Sequence, residues 1–181
     1  MAKSPRSLSE IEAWDPESGD LQVVIETPKD SRNKFAYDPG IGAFRLRGIL
    51  PEGSVFPFDF GFVPSTLGED GDPLDVLVLL DAGVGRGVVL TVRLLGVIEA
   101  EQTEDDRTVR NDRLIAVAVH AHTHEHEHHL KDLRPGLIDE IVQFFVQYNR
   151  LRGKEFKPLG NRGPKAAIKL VEEAVAMFQK R

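Results

Sequence analysis

The chain has 181 residues, 41% of them hydrophobic and 29% charged, the balance of one globular domain with a core of its own. It contains no cysteine, which excludes disulfides, thiolate metal sites and cysteine nucleophiles. A formal net charge of −6 argues against a nucleic-acid partner, and no apolar run suits a signal peptide or a membrane span, so a cytoplasmic protein is expected.

Residues 1–20 read as a loosely attached leader, in which Ser7-Leu8-Ser9-Glu10 has the form of a capping box before Ile11 and Trp14. Residues 21–181 read as one domain. Residues 21–26 predict a strand, followed by the basic turn Thr27-Pro28-Lys29-Asp30-Ser31-Arg32-Asn33-Lys34 and a short strand over 35–37. Asp38-Pro39-Gly40 and Pro51-Glu52-Gly53 mark turns on either side of a strand at 44–46. Phe56, Phe58, Phe60 and Phe62 lie among Pro57, Gly61 and Pro64; the segment reads as core filling, too interrupted for a central strand. Further strands are predicted over 76–80, 88–98 and 114–119, the last two separated by an acidic, exposed stretch at 99–112.

Helical spacing appears only late. Leu137, Ile138, Ile141, Phe144, Phe145, Tyr148 and Leu151 recur at three- and four-residue steps between Pro135 and Gly153. Pro164 opens a second helix with Ile168, Val171, Val175 and Phe178 as its buried stripe. Strands followed by helices predict an α+β fold, with about six strands forming a small barrel. All 6 histidines fall between His120 and His129; a contiguous polar run of this kind reads as a solvated loop rather than an oriented metal site.

The chemistry concentrates in Asp70-Gly71-Asp72-Pro73-Leu74-Asp75-Val76. Gly71 and Pro73 break the ladder, so three aspartates sit on a tight turn that feeds a strand. In an unbroken strand Asp75 would face away from Asp70 and Asp72; a kink brings all three together. Converging carboxylates repel one another unless a cation lies between them, and oxygen ligands without Cys or His suit Mg²⁺, Mn²⁺ or Ca²⁺.

This stretch resembles, residue for residue, the D-x-D-P-x-D-V signature of the family I inorganic pyrophosphatases. The resemblance continues in order through Val23-Val24-Ile25-Glu26-Thr27-Pro28, Lys34, Phe56-Pro57-Phe58-Asp59-Phe60-Gly61-Phe62 and Phe144-Phe145-Val146-Gln147-Tyr148. It implies a closed β-barrel of OB type with the two C-terminal helices packed outside, a cytoplasmic homo-oligomer, pyrophosphate as substrate, and Mg²⁺ as cofactor with Mn²⁺ as its substitute. By position, Asp70 and Asp75 would be metal ligands and Asp72 would take the proton of the attacking water. Glu26 matches a further metal-binding glutamate, Lys34 a phosphate-binding lysine and Tyr148 a phenol on the second phosphate. Arg113 lies where relatives carry a lysine, a swap that keeps the charge and adds a fork suited to phosphate.

The chain also departs from that pattern. Ala36 and Asn111 stand where the family has metal-binding carboxylates, and Glu101 or Gln102 falls near another. Phe56 and Phe60 replace tyrosines, Asn149 replaces a lysine, and the usual arginine aligns with Gly48, beside Arg45 and Arg47. A bulge would be needed to aim Arg47 inward. Each hydrogen bond to phosphate lost in this way weakens the site by ~1.5–3 kcal/mol. An active enzyme would therefore rebuild its outer site with Asp112, Arg110, Arg113 and Arg47. The competing possibilities are a pyrophosphatase-like protein that has lost the reaction or moved to another phosphate compound, and a metal- or nucleic-acid-binding module. A calcium loop of EF-hand type would want an acidic or amide residue at Leu74, and the neighbouring carboxylates would repel a nucleic-acid backbone.

Overall fold

The structure, a computed structural model, describes residues 7–181. Its elements are β1 (Leu21–Thr27), β2 (Asn33–Asp38), β3 (Ala43–Ile49), β4 (Asp59–Phe62), β5 (Asp75–Leu79), β6 (Val89–Glu104), β7 (Arg107–Arg110), β8 (Arg113–Ala118), α1 (Leu137–Leu151), β9 (Glu155–Arg162) and α2 (Pro164–Gln179). Strand β1 pairs with β4, β4 with β5, β5 with β8, β8 with β6, and β6 again with β1, so the pairings run in a ring. The β5–β8 pair alone in that ring is parallel. Strands β2 and β3 make a separate hairpin, while β7 and β9 both pair with β6. Among the described residues no helix is long and apolar enough to cross a membrane.

Strands β1, β5 and β8 read as nearly unbroken apolar strings, and they are buried along almost their whole length. Both of their faces are covered, which is why they do not alternate. The aromatic segment departs from expectation. Residues Asp59–Phe62 form β4, a central strand between β1 and β5. Its prolines lie just outside it, and Gly61 admits the β1 backbone so closely that a Cβ there would stand 2.1 Å from the Val24 carbonyl oxygen. Glycine in a strand here marks close approach of a neighbour, not an interruption.

The acidic stretch after residue 98 also differs. Strand β6 runs on to Glu104 and turns through Asp105 and Asp106, whose φ angles are 48° and 62°, into β7. Two successive residues at positive φ are the signature of a tight two-residue hairpin, and Asp tolerates that conformation. Strand β9, between the two helices, had no sequence expectation: Pro158 and Gly160 interrupt its pattern, which an edge strand with a bulge accommodates.

Helix α1 matches its expected range, with Leu137, Ile141, Phe145 and Asn149 buried and Leu151 exposed. In α2 the buried side is Ala167, Val171 and Ala174, while Ile168 is exposed. Small residues take the closest contacts, and Leu67 N–H reaches the Ala174 carbonyl at 3.1 Å. The described part of the leader is tied to the body. Ser65 N–H donates to Ser9 O at 2.9 Å, Ser65 Oγ to Ile11 O at 2.8 Å, and Ala13 is buried. Residues 1–6 of the expected leader lie outside the described residues.

In the histidine loop, Arg93 donates to the backbone carbonyls of His124, Glu125 and Glu127, and Asp81 accepts from the His122 and Thr123 amides. The loop is shaped by its own backbone around one arginine. Among the described residues no three His, Asp or Glu side chains are gathered to hold an ion.

Because a side chain at position 61 has to displace the β1 backbone, Gly61→Ala should lower unfolding free energy by about 3 kcal/mol. Urea denaturation checks this; an unchanged midpoint would mean that β1 and β4 do not approach as described.

Candidate active site

A cleft of about 960 Å³ opens along the β2–β3 hairpin, the 68–75 turn and the C-terminal half of α1. Local chemistry builds the turn. Gly71 has φ 89°, Gly68 N–H donates to Asp72 O at 2.8 Å, and Asp72 N–H donates to Asp70 Oδ1 at 3.1 Å. Buried Thr66 anchors it, accepting from Leu74 N–H at 3.0 Å through Oγ1. The kink lets Asp70, Asp72 and Asp75 all line the cleft, with Asp75 as the first residue of β5.

Two bulges aim further residues inward. Strand β1 shifts register against β4 between Ile25 and Thr27, so Glu26 is the extra residue. Strand β3 slips against β2, where Lys34 faces Gly48 and Phe35 faces Leu46, so Arg47 is the extra residue there. Both line the cleft. A bulged residue escapes strict alternation, which is how Arg47 reaches a face that its sequence position denied it.

Lys34 is buried, with Nζ 3.6 Å from Glu26 Oε2 and 3.9 Å from the centroid of Phe60. Phe56 is the second ring beneath it, at 5.7 Å. The two rings that lack hydroxyls thus hold the ammonium by their faces. Burial pulls Lys34 below the usual lysine range and pushes Glu26 above the usual carboxylate range, each opposed by the attraction between them. Glu26 Oε1 also accepts from Tyr37 N–H at 2.7 Å.

Arg113 is buried and bridges the two walls. Its Nη1 lies 2.8 Å from Asp75 Oδ2 and donates to the side-chain oxygen of Asn111, and its guanidinium rests 5.1 Å and 5.4 Å from the centroids of Phe145 and Phe156. Asn111 Nδ2 in turn donates to Gln102 Oε1 at 3.1 Å. Where the family resemblance leads one to expect carboxylates, two amides are bonded to each other.

Tyr148 of α1 lines the cleft, but the other candidates are not brought to it. Asp112 accepts from Ala100 N–H at 2.9 Å and from Arg110 Nε at 2.9 Å, and it lies outside the cavity lining. Its pairing with Arg110, which also reaches Glu99 at 3.1 Å, takes both residues out of the expected outer site. Glu101 is likewise outside; strand alternation turns Gln102 to the cleft and Glu101 to the other face. Sequence reasoning missed Arg152 and Lys154, both in the cavity lining. Arg152, the cap residue just past α1, follows Tyr148 by four residues, a spacing that puts two side chains on one helix face; that signal was available.

All-oxygen donors suit a hard divalent cation. Partial desolvation, with the charges of Asp75 and Asp72 nearby, pushes Asp70 up to about 6, and burial with Asp75 raises Asp72. A cation among these carboxylates would relieve that repulsion. Asp70, Asp72, Asp75 and Glu26 line the cleft and have the oxygen donors such an ion takes, although no three of them are already gathered around one point.

Residues 23–179 match the family model of the pyrophosphatases, described as inorganic pyrophosphatase. An inorganic pyrophosphatase of Synechocystis sp. is 34% identical over 172 residues, covering 95% of this chain and 99% of that protein. One from Thermus thermophilus is 38% identical over 162 residues, covering 88% of this chain and 90% of that protein. Among solved structures, the Thermus thermophilus inorganic pyrophosphatase superposes with a TM-score of 0.87 at 36% identity, over 96% of this chain and 99% of that one. The Helicobacter pylori inorganic pyrophosphatase gives 0.84 at 34% identity, over 94% of this chain and 99% of that one. The chain belongs to the inorganic pyrophosphatase family, a membership that implies dependence on a divalent metal.

An acid whose pKa is higher in the folded than in the unfolded chain binds its proton more tightly when folded, so protonation favours folding. With Asp70 at about 6, the metal-free protein should melt at a higher temperature as pH falls from 7 towards 5. Carboxylates held low, such as Asp81, lose their stabilisation only below about pH 4. Thermal melts in chelator test this, with Asp70→Asn flattening the trend; a melting temperature that falls steadily over this range would contradict it.

Proposed function

We propose that this chain hydrolyses inorganic pyrophosphate to two orthophosphates with Mg²⁺, for which Mn²⁺ can substitute. One observation carries the proposal: Asp70, Asp72 and Asp75 share a single cleft with Lys34, Arg47, Arg113 and Tyr148. An acidic turn beside a basic wall suits a compact polyanion that arrives with cations. The divalent ion, when bound, offsets phosphoryl charge and makes a water more acidic.

The chain's own groups then do the following. Asp70, Asp75 and Glu26 would hold the cations, while Lys34, Arg47 and Arg113 offset charge on the phosphoryl oxygens. Asp72, whose pKa is raised above the usual carboxylate range by burial and by Asp75, accepts the proton of the water as its oxygen attacks phosphorus. The bridging P–O bond breaks, Tyr148 donates a hydrogen bond to the leaving orthophosphate while keeping its proton, and the proton on Asp72 passes to solvent or to that product. Asp112 and Glu101 have no part in this scheme, because the first is paired with Arg110 and neither lines the cleft. The ring of strands is taken as a closed barrel of OB type, and the protein as a cytoplasmic homo-oligomer that binds neither nucleic acid nor membrane.

A second possibility has its own support. Asn111 is committed to Gln102 and Arg113, so cation binding is reduced on that side, as in a relative that has lost the reaction or turned to another phosphate compound. One assay separates the two. Orthophosphate release from pyrophosphate should require Mg²⁺ or Mn²⁺ and fall by roughly 10²–10⁴-fold in Asp72→Asn. Failure of the unmodified protein to release orthophosphate with either ion would favour the second possibility.

A further inference from the structure

Three of the seven cations that line the cleft are already matched. Lys34 faces Glu26, Arg113 faces Asp75, and Lys154 lies 2.7 Å from Glu104. Arg152, like Arg47, Arg107 and Arg181 of the same lining, has no carboxylate partner among the described residues, and it alone of these donates, through Nη1, to the hydroxyl of Tyr148. Its guanidinium carbon stands 5.2 Å from the Tyr148 ring centroid. It lines the cleft together with Lys34 and Arg47. An exposed guanidinium that borrows a neutral phenol as acceptor keeps its charge for an anion, and the fork of donors suits phosphate.

The neighbouring residue explains why that charge is wanted. Asn149 is 2% exposed; its Nδ2 donates to Phe145 O at 2.9 Å, and its carbonyl accepts from Arg152 N–H at 2.9 Å and Lys154 N–H at 3.0 Å. Position 149 is occupied with closing α1 and brings no charge to the cleft. The helix ends two residues on, and the next cation on the Tyr148 side is its cap residue, Arg152. A positive charge at this end also lowers the phenol's pKa, against the burial that raises it.

We propose that Arg152 and Tyr148 form a two-point hold on one phosphoryl group, with Arg152 providing there the charge that Asn149 lacks. The inference rests on the cleft being a phosphate site, as proposed above. In use, the Tyr148 hydroxyl and the Arg152 guanidinium both donate to phosphoryl oxygens, so the bond between them is exchanged for two bonds to the substrate. No covalent step belongs to this pair. The test uses the full chain with Mg²⁺ and imidodiphosphate, a diphosphate analogue whose P–N–P bridge resists hydrolysis, with binding read by titration calorimetry.

Arg152→Gln should weaken binding by roughly 10- to 100-fold, the equivalent of one charge-assisted hydrogen bond. Arg152→Lys should recover part of the loss, and Arg150→Gln, which removes the same charge from a side chain outside the cleft lining, should change it by less than about twofold. The ultraviolet titration of Tyr148 should also move to higher pH in Arg152→Gln, which a merely structural role would not cause. Equal binding by Arg152→Gln and the unmodified protein, or equal losses in Arg152→Gln and Arg150→Gln, would overturn the proposal. Analogue binding without orthophosphate release would defeat the enzymatic function and leave Arg152 in place. Normal hydrolysis with binding indifferent to Arg152 would do the reverse.

Discussion

Parallel pairing sets Asp75 of β5 directly beside Arg113 of β8, and the two charges meet at 2.8 Å. Much of the site hangs on this contact. Arg113 is 4% exposed, and its Nε finds no acceptor where the guanidinium stacks against Phe145 and Phe156. A guanidinium so enclosed is tolerable only with an anion at hand, and removing one partner of such a pair typically costs about 3–5 kcal/mol. The pair fixes the point where the acidic turn becomes strand. It also takes the Asn111 side-chain oxygen as an acceptor, which orients the amide that bonds Gln102. The strand ring, the acidic turn and the amide wall therefore share one electrostatic centre.

Around that centre the cleft has exchanged some negative charge for positive. Its lining holds one more basic than acidic side chain, in a protein whose net charge is −6. Field lines from such a local excess are focused by the surrounding low-dielectric walls and favour anions at the cleft over the rest of the surface. Phe56 and Phe60 belong to the same shift. They hold Lys34 by their ring faces and supply no hydroxyls, so in the proposed scheme the work of donating to phosphate falls to the arginines and to Tyr148.

Much of this was legible in the chain. The kinked aspartate turn, both helices and most ring strands follow from glycine and proline placement and from apolar spacing, because those signals act over a few residues. What remained hidden depends on partners distant in sequence. Glycine at position 61 reads as a break until β1 is seen pressing on it. Arg47 reads as facing outward until the slip against Lys34 and Phe35 re-aims it. Asp112, one residue from a position of interest, looked like a substitute ligand, yet alternation and Arg110 take it elsewhere. Strand β9 carries no periodic signal because only β6, far earlier in the chain, gives it a reason to be extended.

Strand β6 pairs with β1, β7, β8 and β9, so one segment seals the ring and also carries its outer edge. Chain order then constrains assembly. During synthesis β1 waits unpaired on one side until residues 89–92 have appeared, and β6 keeps an open flank until β9 emerges after α1. Contacts of such long sequence separation make folding slow compared with helical bundles of the same size. The basic wall is completed by Tyr148 and Arg152 near the end of α1. A nascent chain therefore carries its acidic turn, with Lys34 and Arg47, well before Arg113, Tyr148 and Arg152, and a complete cleft is among the last things it acquires.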